Sequence, residues 1–327
     1  MKEKEIVMEI QLWGVRGSIA SPTSNSEYKE KITEILTMAI EQKIDSNNIE
    51  SFLDSLPDNL KYMYGGNTTC ASVKSEDTGN TYIIDCGTGV RELGYKLMEG
   101  DSGKGKGDIS IFLTHNHWDH IQGIPFFTPI YIPGNTLNFF SPYKNQEEIL
   151  NGQMISPYFP TTFKDTPSKK VYHFLDPQKR ETIQLEKDLT VSFFPLKHPQ
   201  GSFAYKFEQK GKVFIFATDA EFTGEILERM TDNTVTFFNN ADLLVIDSQY
   251  TLDESFLKFD WGHTSYTMAV NCGIRWNIKQ LVLTHHEPAY SDKKIYENHT
   301  AAIEHRNQSQ HTSPEILMAR EGMIFKL

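Results

Sequence analysis

The run His115-Asn116-His117-Trp118-Asp119-His120 follows directly on the apolar segment Ile111-Phe112-Leu113-Thr114. It limits what this chain can fold into more than any other feature. Four potential metal ligands fall within six residues. At the end of an extended strand, His115 and His117 point to the same side and suit one metal ion. The chain then turns, so that Asp119 and His120 face a second ion beside the first. Imidazole together with carboxylate suits zinc, manganese or iron. Two such ions about 3.5–4 Å apart can share a hydroxide, a strong nucleophile at neutral pH. A His-rich surface loop is the plainer reading, although such tracts are themselves frequent metal binders.

Strand-like apolar runs surround this motif, at 6–15, 68–74, 81–85, 108–114, 190–195, 202–208, 213–217, 243–247 and 280–284. Two short ones close the chain at 315–318 and 323–326. Helical spacing is read at 90–98, 147–154, 223–230, 265–274 and 293–307. The intermingling predicts an α/β or α+β domain with layered packing over residues 1–327. Residues 22–60 differ in character. Ile32, Ile35, Leu36, Ala39 and Ile40 carry the spacing of an amphipathic helix over 28–43, and a second helix is expected at 48–56, stopped near Pro57. This reads as a helical insertion between the first two strands: a lid, a homodimer contact or simply a solvated face. Residues 141–180, rich in proline and aromatics, read as a long irregular loop on the substrate side.

Composition narrows the setting. Lys and Arg number 32 against 43 Asp and Glu, a net charge of −11. Such a balance disfavours broad binding to long nucleic acid but leaves room for a small anionic substrate at a local positive site. Cys70, Cys86 and Cys272 cannot all pair within the chain, which fits a reducing, cytoplasmic compartment. The first residues lack the apolar run of a signal peptide, and no stretch approaches the roughly 18 apolar residues of a membrane span.

With its HxHxDH pattern the chain resembles the metallo-β-lactamase superfamily. The resemblance implies a four-layer αββα sandwich and further ligands, in chain order, at strand ends. His198 in LKHP, Asp219 in ATDA and His285 in LTHH occupy those places. The implied set is His115, His117 and His198 for the first metal, Asp119, His120 and His285 for the second, and Asp219 bridging both. His286 adjoins His285, so the choice between them is open. His285 is favoured because it follows Thr284 directly, which leaves His286 to orient a ligand or face the substrate.

Two features place the chain within the superfamily. True β-lactamases carry Cys near position 219, whereas Asp there resembles the phosphodiesterase, nuclease and thioesterase branches. His263, in Trp261-Gly262-His263-Thr264-Ser265, resembles the proton donor of the branch containing RNase Z and the phosphoribosyl cyclic phosphodiesterases. Its plain alternative is a helix-cap neighbour without chemistry. The likeness to that branch extends over LWGVRGS at 12–18, YGGNTTC at 64–70, IIDCGTGVRELG at 83–94, and the late DSQY, WGHTS and LTHHEP. It implies His263, Asp119 and Asp219 as catalytic residues. Asp85 would hold a ligating histidine in orientation, and Asp247 a ligand or His263. Asn67, Thr68, Gly87 and Thr88 would line the pocket, with the amides of 87–89 meeting an anion at a helix start.

The expected activity is a dinuclear hydrolase cleaving a small phosphodiester, cyclic or linear, or a nucleotide. Three alternatives stand beside it. A thioesterase or glyoxalase-like acyl hydrolase would use the same metals but has no clear need of His263. An RNase Z-like ribonuclease would want a basic arm, yet Lys164, Lys169, Lys170, Lys179 and Arg180 are offset by Glu147, Glu148, Asp165 and Asp176. The last is a metal-binding sensor without catalysis. Tyr158, Phe159 and Phe163 either form an aromatic wall over a base or pack within their own loop.

Overall fold

The strands that carry the motif residues belong to two seven-stranded sheets, seen in a computed structural model that describes residues 6–179, 181–228 and 232–327. In chain order they are β1 (Met8–Gly14), β2 (Cys70–Ser75), β3 (Thr81–Ile84), β4 (Asp108–Phe112), β5 (Thr136–Ser141), β6 (Lys169–Phe174) and β7 (Ile183–Gln184). There follow β8 (Leu189–Leu196), β9 (Ser202–Gln209), β10 (Lys212–Ala217), β11 (Leu243–Asp247), β12 (Gln280–Thr284), β13 (Glu315–Met318) and β14 (Ile324–Lys326). The first sheet runs β14-β1-β2-β3-β4-β5-β6 and the second β13-β12-β11-β10-β9-β8-β7. Each is antiparallel on one side and parallel on the other: β3 to β6 and β10 to β13 are the parallel halves.

The side-chain alternation of these strands builds the layers. Phe112, Phe214, Phe216 and Val245 point into a core shared by both sheets, together with Ile10, Val73 and Phe207. Their neighbours Ile215, Leu244 and Ile246 point outward, where Ala269, Val270, Ile295 and Ala302 cover them from the helices Tyr266–Arg275 and Asp292–Gln308. On the other side Ile83, Ile109 and Ile111 meet Val90 and Leu93 of the helix Val90–Met98. The result is helices, sheet, sheet, helices. Strands buried on both faces read as continuous apolar runs, which is why LLVI and LVL were legible as strands.

The insertion is helical, over Asn25–Glu41, Ile49–Ser55 and Asp58–Lys61. Its first helix opens on a capping box, with Ser24 and Glu27 bonding each other's backbone amides. The expected apolar face is only half used. Ile35 and Ala39 join a small cluster around Phe52, Leu56 and Leu60, while Ile32, Leu36 and Ile40 remain exposed. The segment is tied to the body by Lys31, whose Nζ lies 2.7 Å from Asp292 Oδ2.

The region 141–180 is more ordered than expected. Besides the helix expected at 147–154, seen as Gln146–Gln153, it holds the edge strand β6, and β5 precedes it; neither strand is among the expected runs. Edge strands bury one face weakly, so KKVYHF lacks the apolar signal of its neighbours. Phe163 is fully buried against Phe139, which removes it from any aromatic wall, whereas Tyr158 is exposed. Of the helix expected at 223–230, Gly224–Glu228 is seen and its last two residues lie outside the described residues, as does Arg180. Among the described residues no helix is long and apolar enough to cross a membrane.

Candidate metal centre

The sequence motif leaves β4 through Leu113 and Thr114 and delivers His115, His117, Asp119 and His120 to the C-terminal ends of the parallel strands. His198 follows β8, Asp219 follows β10 and His285 follows β12. The ligand atoms gather in two adjoining groups. His115, His117 and His198 form one; Asp119, His120, Asp219 and His285 form the other, each with its atoms within 4.8 Å of one another. Asp219 faces both. Its Oδ1 lies 3.7 Å from Nε2 of His115 and 3.7 Å from Nε2 of His198. Its Oδ2 lies 2.9 Å from Nε2 of His120 and 3.2 Å from Nε2 of His285.

Each imidazole is oriented by a bond from its other nitrogen, the arrangement expected of metal-binding histidines. His120 Nδ1 donates to Asp85 Oδ2 at 2.7 Å, and Asp85 is itself held by the Thr114 amide and hydroxyl, both at 2.8 Å. His198 Nδ1 donates to the Gly262 carbonyl at 2.8 Å, and His117 Nε2 to Gln200 Oε1 at 2.9 Å. His285 Nδ1 reaches Gln249 Oε1 at 3.3 Å. The Ser18 amide donates to Asp119 Oδ2 at 2.8 Å. Gln200, Gln249, the Ser18 amide and the Gly262 carbonyl were not legible in the sequence, because side-chain amides and backbone groups carry no spacing signature.

These donors fit divalent cations. Among the described residues no group gives His115 Nε2, His120 Nε2 or Asp219 Oδ2 a directed hydrogen bond, although all three atoms are buried. His198 Nε2 and His117 Nδ1 approach to 3.1 Å although the second nitrogen of each ring already donates elsewhere, so two lone pairs face one another. A cation relieves both conditions. The carboxylates also draw positive charge to the site. Burial works against charge on His120 and His285, yet Asp219 and its neighbouring carboxylates outweigh it, raising His120 well above the usual imidazole range and His285 to about 9. Burial also opposes ionisation of Asp219, but His120, His285 and His115 hold it well below the usual carboxylate range. Burial pushes His115 and His198 down, so these two remain neutral ligands.

His263 stands beside the second group. Its Nδ1 lies 2.8 Å from Asp247 Oδ2, and its ring stacks on His285 with centroids 5.0 Å apart. Asp247 also accepts from the amides of Thr264, Asp219 and Gln249. It therefore links His263 to the backbone of the shared carboxylate.

Three expectations need correction. His286 does not face the site: its Nε2 bonds the Ala319 carbonyl at 2.8 Å, its ring packs edge-on against Tyr64, and burial beside Arg16 lowers its pKa to about 3. Thr68 is a latch rather than a pocket wall. Its hydroxyl accepts from the Thr88 amide at 2.9 Å while the Thr88 hydroxyl accepts from its amide at 2.8 Å. The turn at 87–89 offers no free amide to an anion, since Gly87 and Gly89 donate to the carbonyls of Thr69 and Thr68. Gly87 matters sterically instead: a Cβ there would lie 2.3 Å from the Asp119 carbonyl oxygen. Asn67 is bound through its side chain to Glu321, at 3.1 Å.

Two facing sheets flanked by helices, with a His/Asp ligand cluster at the strand ends, define a metallohydrolase fold. Residues 80–286 match the β-lactamase superfamily domain, and the chain belongs to the metallo-β-lactamase superfamily. It is 25% identical over 311 residues to a ribonuclease Z of Prochlorococcus marinus strain MIT 9515, covering 80% of this chain and 94% of that protein. Its fold is similar to that of the metallo-β-lactamase fold protein YhfI from Bacillus subtilis, with a TM-score of 0.63 at 16% identity over 99% of this chain and 100% of that one. It is also similar to a diphosphatase of the PhnP family, with a TM-score of 0.59 at 16% identity over 98% of each chain. The chain is a hydrolase of this family.

Proposed function

We propose that this hydrolase is a phosphodiesterase holding two divalent ions, with zinc, manganese and iron as candidates, and that its substrate is a small linear or cyclic phosphodiester or a nucleotide. The observation that carries the reading is His263 hydrogen-bonded to Asp247 beside the carboxylate common to both ligand groups. When bound, divalent ions supply Lewis acidity toward a phosphate oxygen and activate water as the nucleophile. The rest falls to the chain. His115, His117 and His198 hold one ion, Asp119, His120 and His285 the other, and Asp219 serves both. Asp247 fixes the His263 ring through its Nδ1. His263 Nε2 gives its proton to the departing alcohol oxygen, a role worth about 10²–10⁴ in rate. An acyl thioester, whose leaving group needs no such acid, would leave this dyad without a task.

The curated relatives named ribonuclease Z favour a second reading, cleavage of RNA. The net charge of −11 weighs against a long polyanion.

The test is hydrolysis of bis(p-nitrophenyl) phosphate by metal-stripped, zinc-loaded and manganese-loaded protein, followed by cyclic nucleotides and a short RNA. Metal-dependent turnover of the diester is the expected result. Two bound ions without turnover of any phosphodiester would overturn the reading in favour of acyl substrates or sensing.

A further inference from the structure

An open cavity of about 270 Å³ lies against the wall that presents Asp119, lined by Ala20, Asn67, Thr88, Arg91, Gly123 and Phe126. Its position follows from contacts on either side. Gly87, the neighbour of Thr88, abuts the Asp119 carbonyl so closely that a Cβ would not fit. Ser18, two residues before Ala20, donates its amide to the Asp119 carboxylate. Gly123 and Phe126 follow the short helix Trp118–Ile121 that carries Asp119 and His120. The cavity is thus one residue layer from the second ligand group.

Its chemistry is unlike that of the metal centre, where Asp85, Asp119, Asp219 and Asp247 concentrate negative charge. Here a guanidinium lines the space. Among the described residues Arg91 pairs only with the adjacent Glu92, and it lies over the Tyr95 ring. Both members of that ion pair are more than two-fifths exposed, and exposed pairs are worth little, about 0–1 kcal/mol. An incoming phosphate, which takes a bidentate guanidinium contact, competes well with it. Other cations near the site are held by more groups. The buried Arg16 guanidinium donates to the carbonyls of Gly65, Glu287 and Tyr290, Lys197 lies between Glu221 and Asp260, and Lys258 pairs with Glu287. Opposite Arg91, Phe126 is held edge-on by Phe159 with centroids 6.0 Å apart, and keeps 59% of its surface exposed. That leaves an open ring surface for stacking.

We propose that this cavity is a second substrate subsite, in which Arg91 binds a further phosphate of the substrate and Phe126 supports its ring. The substrate class is then a nucleotide-type diester carrying a second anionic group, a refinement that rests on the phosphodiesterase reading. Arg91 discriminates among diesters and takes no part in bond breaking.

The experiment is calorimetric titration of the metal-loaded protein with adenosine 3′,5′-bisphosphate and with adenosine 5′-monophosphate. The wild type is expected to bind the bisphosphate about tenfold more tightly, and Arg91→Ala to erase that preference while leaving monophosphate affinity within twofold. Arg91→Lys should retain part of it. Equal affinities in the wild type, or a preference that survives Arg91→Ala, would overturn the subsite. Turnover of bis(p-nitrophenyl) phosphate, which has no second anion, tests the phosphodiesterase reading separately. A wild type that fails to hydrolyse it counts against the phosphodiesterase reading alone, because the binding preference judges the subsite without turnover.

Discussion

Asp85 and His120 form a fully buried pair, Oδ2 to Nδ1 at 2.7 Å, at the base of the second ligand group. The pair sets which nitrogen of His120 faces Asp219. Asp85→Asn removes the charge but not the volume, and should weaken metal binding by about 10–100-fold. Competition with a chromogenic chelator reads this directly, and an unchanged affinity would remove Asp85 from the role of orienting His120.

The His263–Asp247 dyad makes a different prediction. His263→Ala should reduce turnover of a diester with an alkyl leaving group by about 10²–10⁴, and affect p-nitrophenolate release far less, because that anion leaves without a proton. Metal content should stay at the wild-type level. Equal losses on both substrates would sink the general-acid role.

Gly17 lies so close to His285 that an added Cβ would sit 2.5 Å from Nδ1. The ring is buried and cannot retreat. Gly17→Ala should therefore cost about 1–3 kcal/mol of stability and lower occupancy of the second ion selectively. Elemental analysis of the folded variant is expected to show closer to one ion per chain than two. Full occupancy of both would show that the turn can shift.

His286 provides a pH-dependent prediction. Its pKa is depressed to about 3 by burial and by Arg16, against 6.5 for the free side chain. Between those values the unfolded chain binds a proton that the folded chain excludes, so stability falls as pH drops below about 6.5. The slope from this one group approaches about 1.4 kcal/mol per pH unit. His286→Gln keeps an N–H for the Ala319 carbonyl and cannot titrate. Denaturation midpoints measured from pH 6.5 to 5 should decline less steeply in this variant; parallel declines would refute the assignment.

How much was legible differs from element to element. The parallel strands β11 and β12 could be read to the residue, since burial on both faces demands continuous apolar runs. The edge strand β6 reads as loop in the sequence, because a strand with one open side tolerates lysine and histidine. The stripe on the first insertion helix predicted a helix correctly but not its covering, for periodicity reports a face and not what lies against it.

The sequence by itself determined that His115, His117, Asp119 and His120 reach one strand end together, because four donors within six residues share a single turn of backbone. It also marked His198, Asp219 and His285 as strand-terminal. Only the tertiary structure decided between His285 and His286. Neighbouring side chains leave the backbone in different directions, and the Ala319 carbonyl claims one while the Asp219 carboxylate faces the other. The bonds from Gln200 and Gly262, and the cavity under Arg91, likewise join segments far apart in the chain, and no local spacing encodes such meetings.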